Sequence, residues 1–171
     1  MSDLSDWLSA DHRRLEGLLA QALARPGAVD ATPYAAFRRG LLRHIAIEEK
    51  LLMPAAQEAA RHPLDTVQRL RLDHGAIAAL LVPSPTAAII ATLQAILEGH
   101  NAVEEGPDGV YATCDHLLGE RAASLVARMA AYPEPPTSPH NDDPTVMPAV
   151  RRALERAGYR LASGPPARTA E

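Results

Sequence analysis

In each of four successive amphipathic patterns of this chain, a histidine stands where a leucine would otherwise lie, and nothing else in the sequence restricts the fold as much. Apolar residues recur at steps of three and four, the spacing of helices that bury one face. The first pattern runs from about Leu4 to Leu23, with Leu8, His12, Leu15, Leu19 and Ala22 on one stripe, and ends near Pro26-Gly27. The second, from about Pro33 to Ala60, aligns Phe37, Leu41, His44 or Ile45, Glu48, Leu52 and Ala55; Pro54 is expected to kink it, because proline lacks the N–H that the helix ladder needs. Pro63 is expected to open the third as a first-turn proline, followed by Val67, Leu70, His74, Ile77 and Leu81 and closed by Pro83 and Pro85. The fourth, from about Thr86 to Glu105, carries Ile89, Leu93, Ile96, Leu97, His100, Val103 and Glu104, and Gly106-Pro107-Asp108-Gly109 interrupts it.

These patterns predict an all-α protein: an antiparallel up-and-down four-helix bundle with an additional C-terminal helix and an extended tail. Composition agrees, since aromatics are only 4% and the 47% apolar share falls in short periodic runs, unlike a sandwich. A further amphipathic stretch, from about Val110 to Tyr132, is expected to pack outside the first four with Leu117, Leu118, Leu125, Val126 and Met129. Pro133-Glu134-Pro135-Pro136-Thr137-Ser138-Pro139 reads as a stiff linker. A short helix from Thr145 to Tyr159 follows, then a Gly-Pro-Pro tail expected to be disordered. The division expected is therefore a bundle over residues 1–132, then a linker, helix and flexible tail over 133–171 that is available to dock a protein partner.

Several function classes are excluded at this level. A net charge of −4, a single lysine and no basic block interleaved with aromatics argue against nucleic acid as a partner. No run approaches the roughly 20 apolar residues of a membrane span, and the acidic N-terminus does not read as a signal peptide. Cys114 stands alone, so neither an intrachain disulfide nor a cysteine zinc cluster can form. A soluble, cytoplasmic protein is the expectation.

Two of the four stripe histidines are followed at i+4 by glutamate, His44 by Glu48 and His100 by Glu104, which stacks imidazole and carboxylate on one helix face. Spacing alone is not decisive, because His12 precedes Glu16 and His116 precedes Glu120 in the same way. The repeat is more telling: Asp11-His12 then His44-x3-Glu48-Glu49 recurs as Asp73-His74 then His100-x3-Glu104-Glu105. Burying four imidazoles and two carboxylates without partners would cost several kcal/mol, against a net stability of roughly 5 to 15 kcal/mol for a domain. Imidazole and carboxylate without thiolate suit iron, manganese or zinc, and two shared carboxylates with two imidazoles per side describe a two-metal centre. Ferritin-like di-iron bundles use Glu-x-x-His and more carboxylates, and that pattern is missing here. Asp11 and Asp73 read as solvated, with support of a neighbouring ligand as the alternative; Glu49 and Glu105 as exposed or helix-charge residues, with replacement of the adjacent glutamate as the alternative; Cys114-Asp115-His116 and Met53 as structural; and Tyr111 as packing, with hydrogen bonding into the metal pocket as the alternative.

On Asp11-His12-Arg13-Arg14-Leu15, His44-Ile45-Ala46-Ile47-Glu48-Glu49 with Met53-Pro54, Asp73-His74 and His100-Asn101-Ala102-Val103-Glu104-Glu105, the chain resembles the hemerythrin-like, HHE cation-binding family from about Leu4 to Glu105. The resemblance implies a non-haem di-iron centre, with manganese or zinc as alternatives. His12, His44, His74 and His100 would be terminal ligands, and Glu48 and Glu104 would bridge both metals. Oxygen, peroxide or nitric oxide would be the small ligand, in oxygen or iron sensing or in oxidant handling. A di-iron oxidase or peroxidase-type enzyme and a metal-stabilised structural bundle are the alternatives. Oxygen-carrying members place a second histidine one turn from the third-helix ligand, whereas Leu70 and Ala78 flank His74 here. One iron would then have an open position for water, a small ligand or a group such as Glu16, Glu49, Glu105 or Tyr111, which puts reversible carriage in doubt.

Overall fold

A computed structural model describes residues 3–163, so the Gly-Pro-Pro tail lies outside the described residues. All regular structure among them is helical. The order is α1 (Asp3–Ala22), α2 (Ala31–Ile47), a π-helical turn (Glu48–Leu52), α3 (Met53–Ala60), α4 (Asp65–Leu80), α5 (Ala87–Glu105), α6 (Val110–Leu118), α7 (Arg121–Ala130) and α8 (Val146–Arg156). None of these helices is long and apolar enough to cross a membrane.

Helix boundaries follow local chemistry. Asp30 caps α2 by accepting from the Thr32 N–H, and Thr86 caps α5 by accepting from that of Ile89, each satisfying an orphan donor of the first turn. Where a kink was expected at Pro54, the irregularity observed is a π turn just before it, in which the Met53 N–H reaches back five residues to the Glu48 carbonyl. Pro54 has no N–H to offer Lys50, so the ladder widens just before it. Pro63 is not in the first turn of the third helix, which starts at Asp65 after an extended Leu64.

The buried apolar residues form two clusters. One gathers Leu15, Leu19, Phe37, Leu41, Ile77, Leu80, Leu93 and Ile96; the other gathers Leu4, Leu8, Ile47, Leu52, Met53, Leu70, Val110 and Leu118. Each fully buried side chain of this kind contributes about 1.5–3 kcal/mol of transfer free energy. α1, α2 and α4 each pass from one cluster to the other with a histidine at the crossing, and α5 places His100 after its run in the first. A polar layer therefore separates two apolar halves.

The stretch expected to pack outside the four main helices is instead two helices, broken at Gly119, whose φ of +51° suits glycine. α6 packs inward, against α1, α3 and α5, with Val110, Tyr111, Cys114 and Leu118 buried. It covers the apolar end left by Leu4, Leu8, Leu52 and Met53. Gly109 makes this approach possible, since a Cβ there would lie 2.5 Å from the Glu104 carbonyl oxygen and 2.8 Å from backbone atoms of Gly106.

After α7 the proline-rich segment has no regular structure, and arginines of α2 hold the end of α7 before it and the segment itself. Arg43 donates to the carbonyls of Met129, Ala130 and Tyr132, and Arg38 to that of Ser138. α8 then packs on α4, and Val150, Leu154 and Ala157 join the first apolar cluster.

Candidate metal centre

α1, α2, α4 and α5 deliver His12, His44, His74 and His100 to the polar layer, and each histidine is at most 4% exposed. Glu48, at the start of the π turn, and Glu104, near the end of α5, are fully buried among them. The donor atoms fall into two groups, His12, His44, Glu48 and Glu104 in one and His74, His100, Glu48 and Glu104 in the other, each within 4.8 Å. All six residues singled out from the sequence are thus brought together.

Each glutamate faces both groups. Oε1 of Glu48 lies 3.4 Å from Nε2 of His44, and its Oε2 lies 3.2 Å from Nε2 of His74. Oε2 of Glu104 lies 3.4 Å from Nε2 of His12, and its Oε1 lies 3.1 Å from Nε2 of His100.

The outward nitrogen of every ring meets a carboxylate. Nδ1 of His12 donates to Glu105 at 2.5 Å, that of His44 to Asp11 at 2.9 Å, that of His74 to Glu49 at 2.9 Å and that of His100 to Asp73 at 3.5 Å. A carboxylate on Nδ1 keeps the proton there and leaves the Nε2 lone pair free to bind an ion. Asp11 and Asp73 are therefore not simply solvated, and Glu49 and Glu105 are more than surface charges. The doubled Asp-His and Glu-Glu pairs of the sequence repeat carried this signal: one residue enters the polar layer and its neighbour reaches a histidine on another helix.

Two observations test whether the pocket suits cations. Nε2 of His12 and of His44 face each other at 2.9 Å, which sets lone pair against lone pair unless something positive lies between them. Nε2 of His74, Oε2 of Glu48 and Oε1 of Glu104 are buried without a hydrogen-bond partner. The separations of 2.9–3.4 Å match the ligand–ligand edges, about 3.0 to 3.4 Å, expected when N and O donors lie about 2.1 Å from a shared ion. The donors of either group fit a metal cation.

Electrostatics point the same way. Burial opposes charge on Glu48, but the neighbouring His44 and His74 rings outweigh it and hold the carboxyl well below its ordinary value. Burial likewise pushes the His44 ring down, yet Glu48 and Asp11 lift it to about 10. His100 reaches about 10 through Asp73 and Glu104, again against burial. The pocket thus attracts positive charge, which protons or metal ions can supply.

Tyr111 was read from sequence as a packing residue, and it does fill the second apolar cluster, but its hydroxyl also enters the first donor group. Oη donates to Glu48 Oε1 at 2.7 Å, with Glu104 Oε2 at 3.0 Å and Nε2 of His12 and His44 at 3.1 and 3.3 Å. Burial and the charges of Glu48 and Glu104 raise its pKa well above the ordinary value. The signal available beforehand was only its position after the Gly-Pro break. Glu16 is exposed and meets Asn101, while His62, His116 and His140 are exposed and lie outside both groups.

Comparison with curated proteins and with solved structures returned no match. The family model described as Hemerythrin HHE cation binding domain matches residues 3–130, a span that contains all six inward groups, their four carboxylate partners and Tyr111. The chain belongs to the hemerythrin HHE cation-binding domain family.

Proposed function

We propose that this chain is a non-haem di-iron protein that binds or reacts with oxygen, peroxide or nitric oxide, in oxygen or iron sensing or in oxidant handling. The observation that carries the reading is the splitting of Glu48 and Glu104, each with one oxygen toward either pair of imidazoles. His12 and His44 would hold one ion and His74 and His100 the other, with both glutamates shared. An iron pair supplies one- and two-electron chemistry toward small oxidants, and manganese or zinc would fit the same donors.

The remaining parts are the chain's own. Buried walls on both sides keep bulk water out of the polar layer. The four outer carboxylates fix ring orientation. Tyr111 holds a proton at Oη beside one donor group only, so the two halves differ in their supply of protons. Leu70, fully buried one turn before His74, offers no ligand, so the ion there would keep a coordination position that no protein group fills, which favours reaction over simple carriage. In the same proposal the four histidine-bearing helices form an antiparallel up-and-down bundle within residues 1–132, to which 133–171 is an appendage; the opposite order in which α1 and α2 traverse the two clusters supports this.

Anaerobic loading with ferrous iron and metal counting tests the reading. Two ions per chain are expected, with charge-transfer bands on adding oxygen or peroxide. Near-zero uptake overturns it. Bands that decay without recovery assign oxidant handling, and bands that reverse on removing the ligand assign binding or sensing.

A further inference from the structure

Three of the outer carboxylates are themselves gripped by an arginine, and one of these grips depends on the C-terminal segment. Arg14 donates to Asp11 at 2.7 Å along one helix, and Arg71 to Glu49 at 3.0 Å. Arg69 approaches Asp73 at 3.3 Å, but its side chain is 57% exposed, so unaided it would exchange among rotamers. What holds it is Tyr159, beyond α8: Nη2 of Arg69 donates to Oη at 3.2 Å, and the guanidinium carbon lies 5.7 Å from the ring centroid, a distance at which cation and ring attract.

Tyr159 is placed there by a built turn. Gly158, at φ +83°, reverses the chain after α8, and the Tyr159 N–H bonds to the Leu154 carbonyl at 2.8 Å. Val150 and Leu154 anchor α8 in the core, and further on the Ala162 N–H bonds to Thr92 Oγ1 at 2.8 Å, tying the segment to α5. The contact it serves is the longest of the four histidine–carboxylate pairs, Asp73 to His100 at 3.5 Å. Residues 146–163 all lie beyond the family match.

We propose that the C-terminal segment is a latch on the second metal site: Tyr159 positions Arg69 over Asp73, and Asp73 thereby aims His100, so that the ion held by His74 and His100 depends on the docked segment while the ion held by His12 and His44 does not. Tyr159 is a positioning residue. The proposal rests on the two-metal reading above, and it adds a difference between the two ions that this reading lacks. Undocking of α8 by a partner would loosen one ion alone.

The test uses the full chain with Tyr159→Phe, which keeps the ring, and Arg69→Gln, with Arg14→Gln as the counterpart at the other site. In the metal-free protein, NMR of the imidazole N–H groups reads exchange of the His100 Nδ1 proton with water; both latch variants are expected to speed it, leaving the His44 proton unchanged. In stepwise cobalt titration one binding step is expected to weaken about tenfold, with the other step and the melting temperature of the metal-free chain unaltered. Arg14→Gln is expected to reverse the pattern. Unchanged His100 exchange, or equal weakening of both steps, overturns the proposal. Failure of the unsubstituted chain to bind cobalt or iron would overturn the two-metal reading, whereas the exchange measurement still decides whether Tyr159 positions His100.

Discussion

Asp11, the residue before His12 on α1, accepts the Nδ1 proton of His44 on α2 at 2.9 Å, so adjacent residues of one helix meet one donor group in two different ways. The acid stays ionised: burial opposes this, but hydrogen bonds from His44 and Arg14 bring its pKa down to about 2. Asp11→Asn keeps the shape and removes the charge. Loss of an acid behind a metal-binding imidazole weakens metal affinity about 10–100-fold. Competition titration with a chromophoric chelator should show that loss in one of two steps, and an unchanged isotherm would refute the assignment.

Tyr111→Phe removes the hydroxyl at the floor of the first donor group while leaving the ring in its apolar contacts. In the metal-free chain the Glu48 carboxylate then loses a close hydrogen bond, which costs about 1–3 kcal/mol. Urea unfolding should register this deficit. With metal bound, the same oxygens have cations as partners, so the deficit should shrink. A deficit of equal size with and without metal would mean that Oη matters only for packing.

How much of this could be read beforehand varied with the physical origin of each feature. The inward histidines and glutamates were legible because burying them interrupts a periodic apolar stripe, and periodicity is local. The roles of Asp11 and Asp73 were legible only as an alternative to solvation, because their partners, His44 and His100, lie on other helices and the sequence alone does not give interhelical register. Tyr111 was named only as a lesser alternative to packing, since the Gly109 turn that brings α6 under Glu104 is a matter of close backbone approach. The single helix expected over Val110 to Tyr132 split at Gly119, where a lone glycine gives little warning. Tyr159 carried no local signal at all: its partner Arg69 is far away in sequence and exposed.

Gly109→Ala tests that turn. An added Cβ would meet the backbone oxygen of Glu104 at 2.5 Å, and backbone atoms cannot swing aside as a flexible side chain does. The α5–α6 junction must shift, moving Tyr111 relative to the glutamates. A destabilisation of about 1–3 kcal/mol is expected in thermal or urea unfolding, together with a weakened metal complex. Gly99→Ala, where nothing lies within 4 Å of the new Cβ, should leave both properties intact. If Gly109→Ala behaves like Gly99→Ala, the tight turn does not position the site.

Protons and metal ions compete for the same nitrogens, and the sign of that competition is fixed by the environment. In the metal-free fold His44 rises from an ordinary value of 6.5 to about 10, and His100 does the same, so both rings are protonated at neutral pH. A raised folded value means stability that is fully present below about pH 6.5 and lost as the pH climbs through about 10. The metal-free chain should therefore melt at progressively lower temperature between pH 7 and 10. Metal uptake must displace those protons, so affinity should increase over the same interval and binding at pH 7 should acidify a weakly buffered solution. Melting curves with and without metal across that range should diverge, the loaded protein gaining on the metal-free one as alkalinity rises. Parallel curves, together with no proton release in calorimetry across buffers of different ionisation enthalpy, would show that the metal ion does not replace protons on His44 and His100.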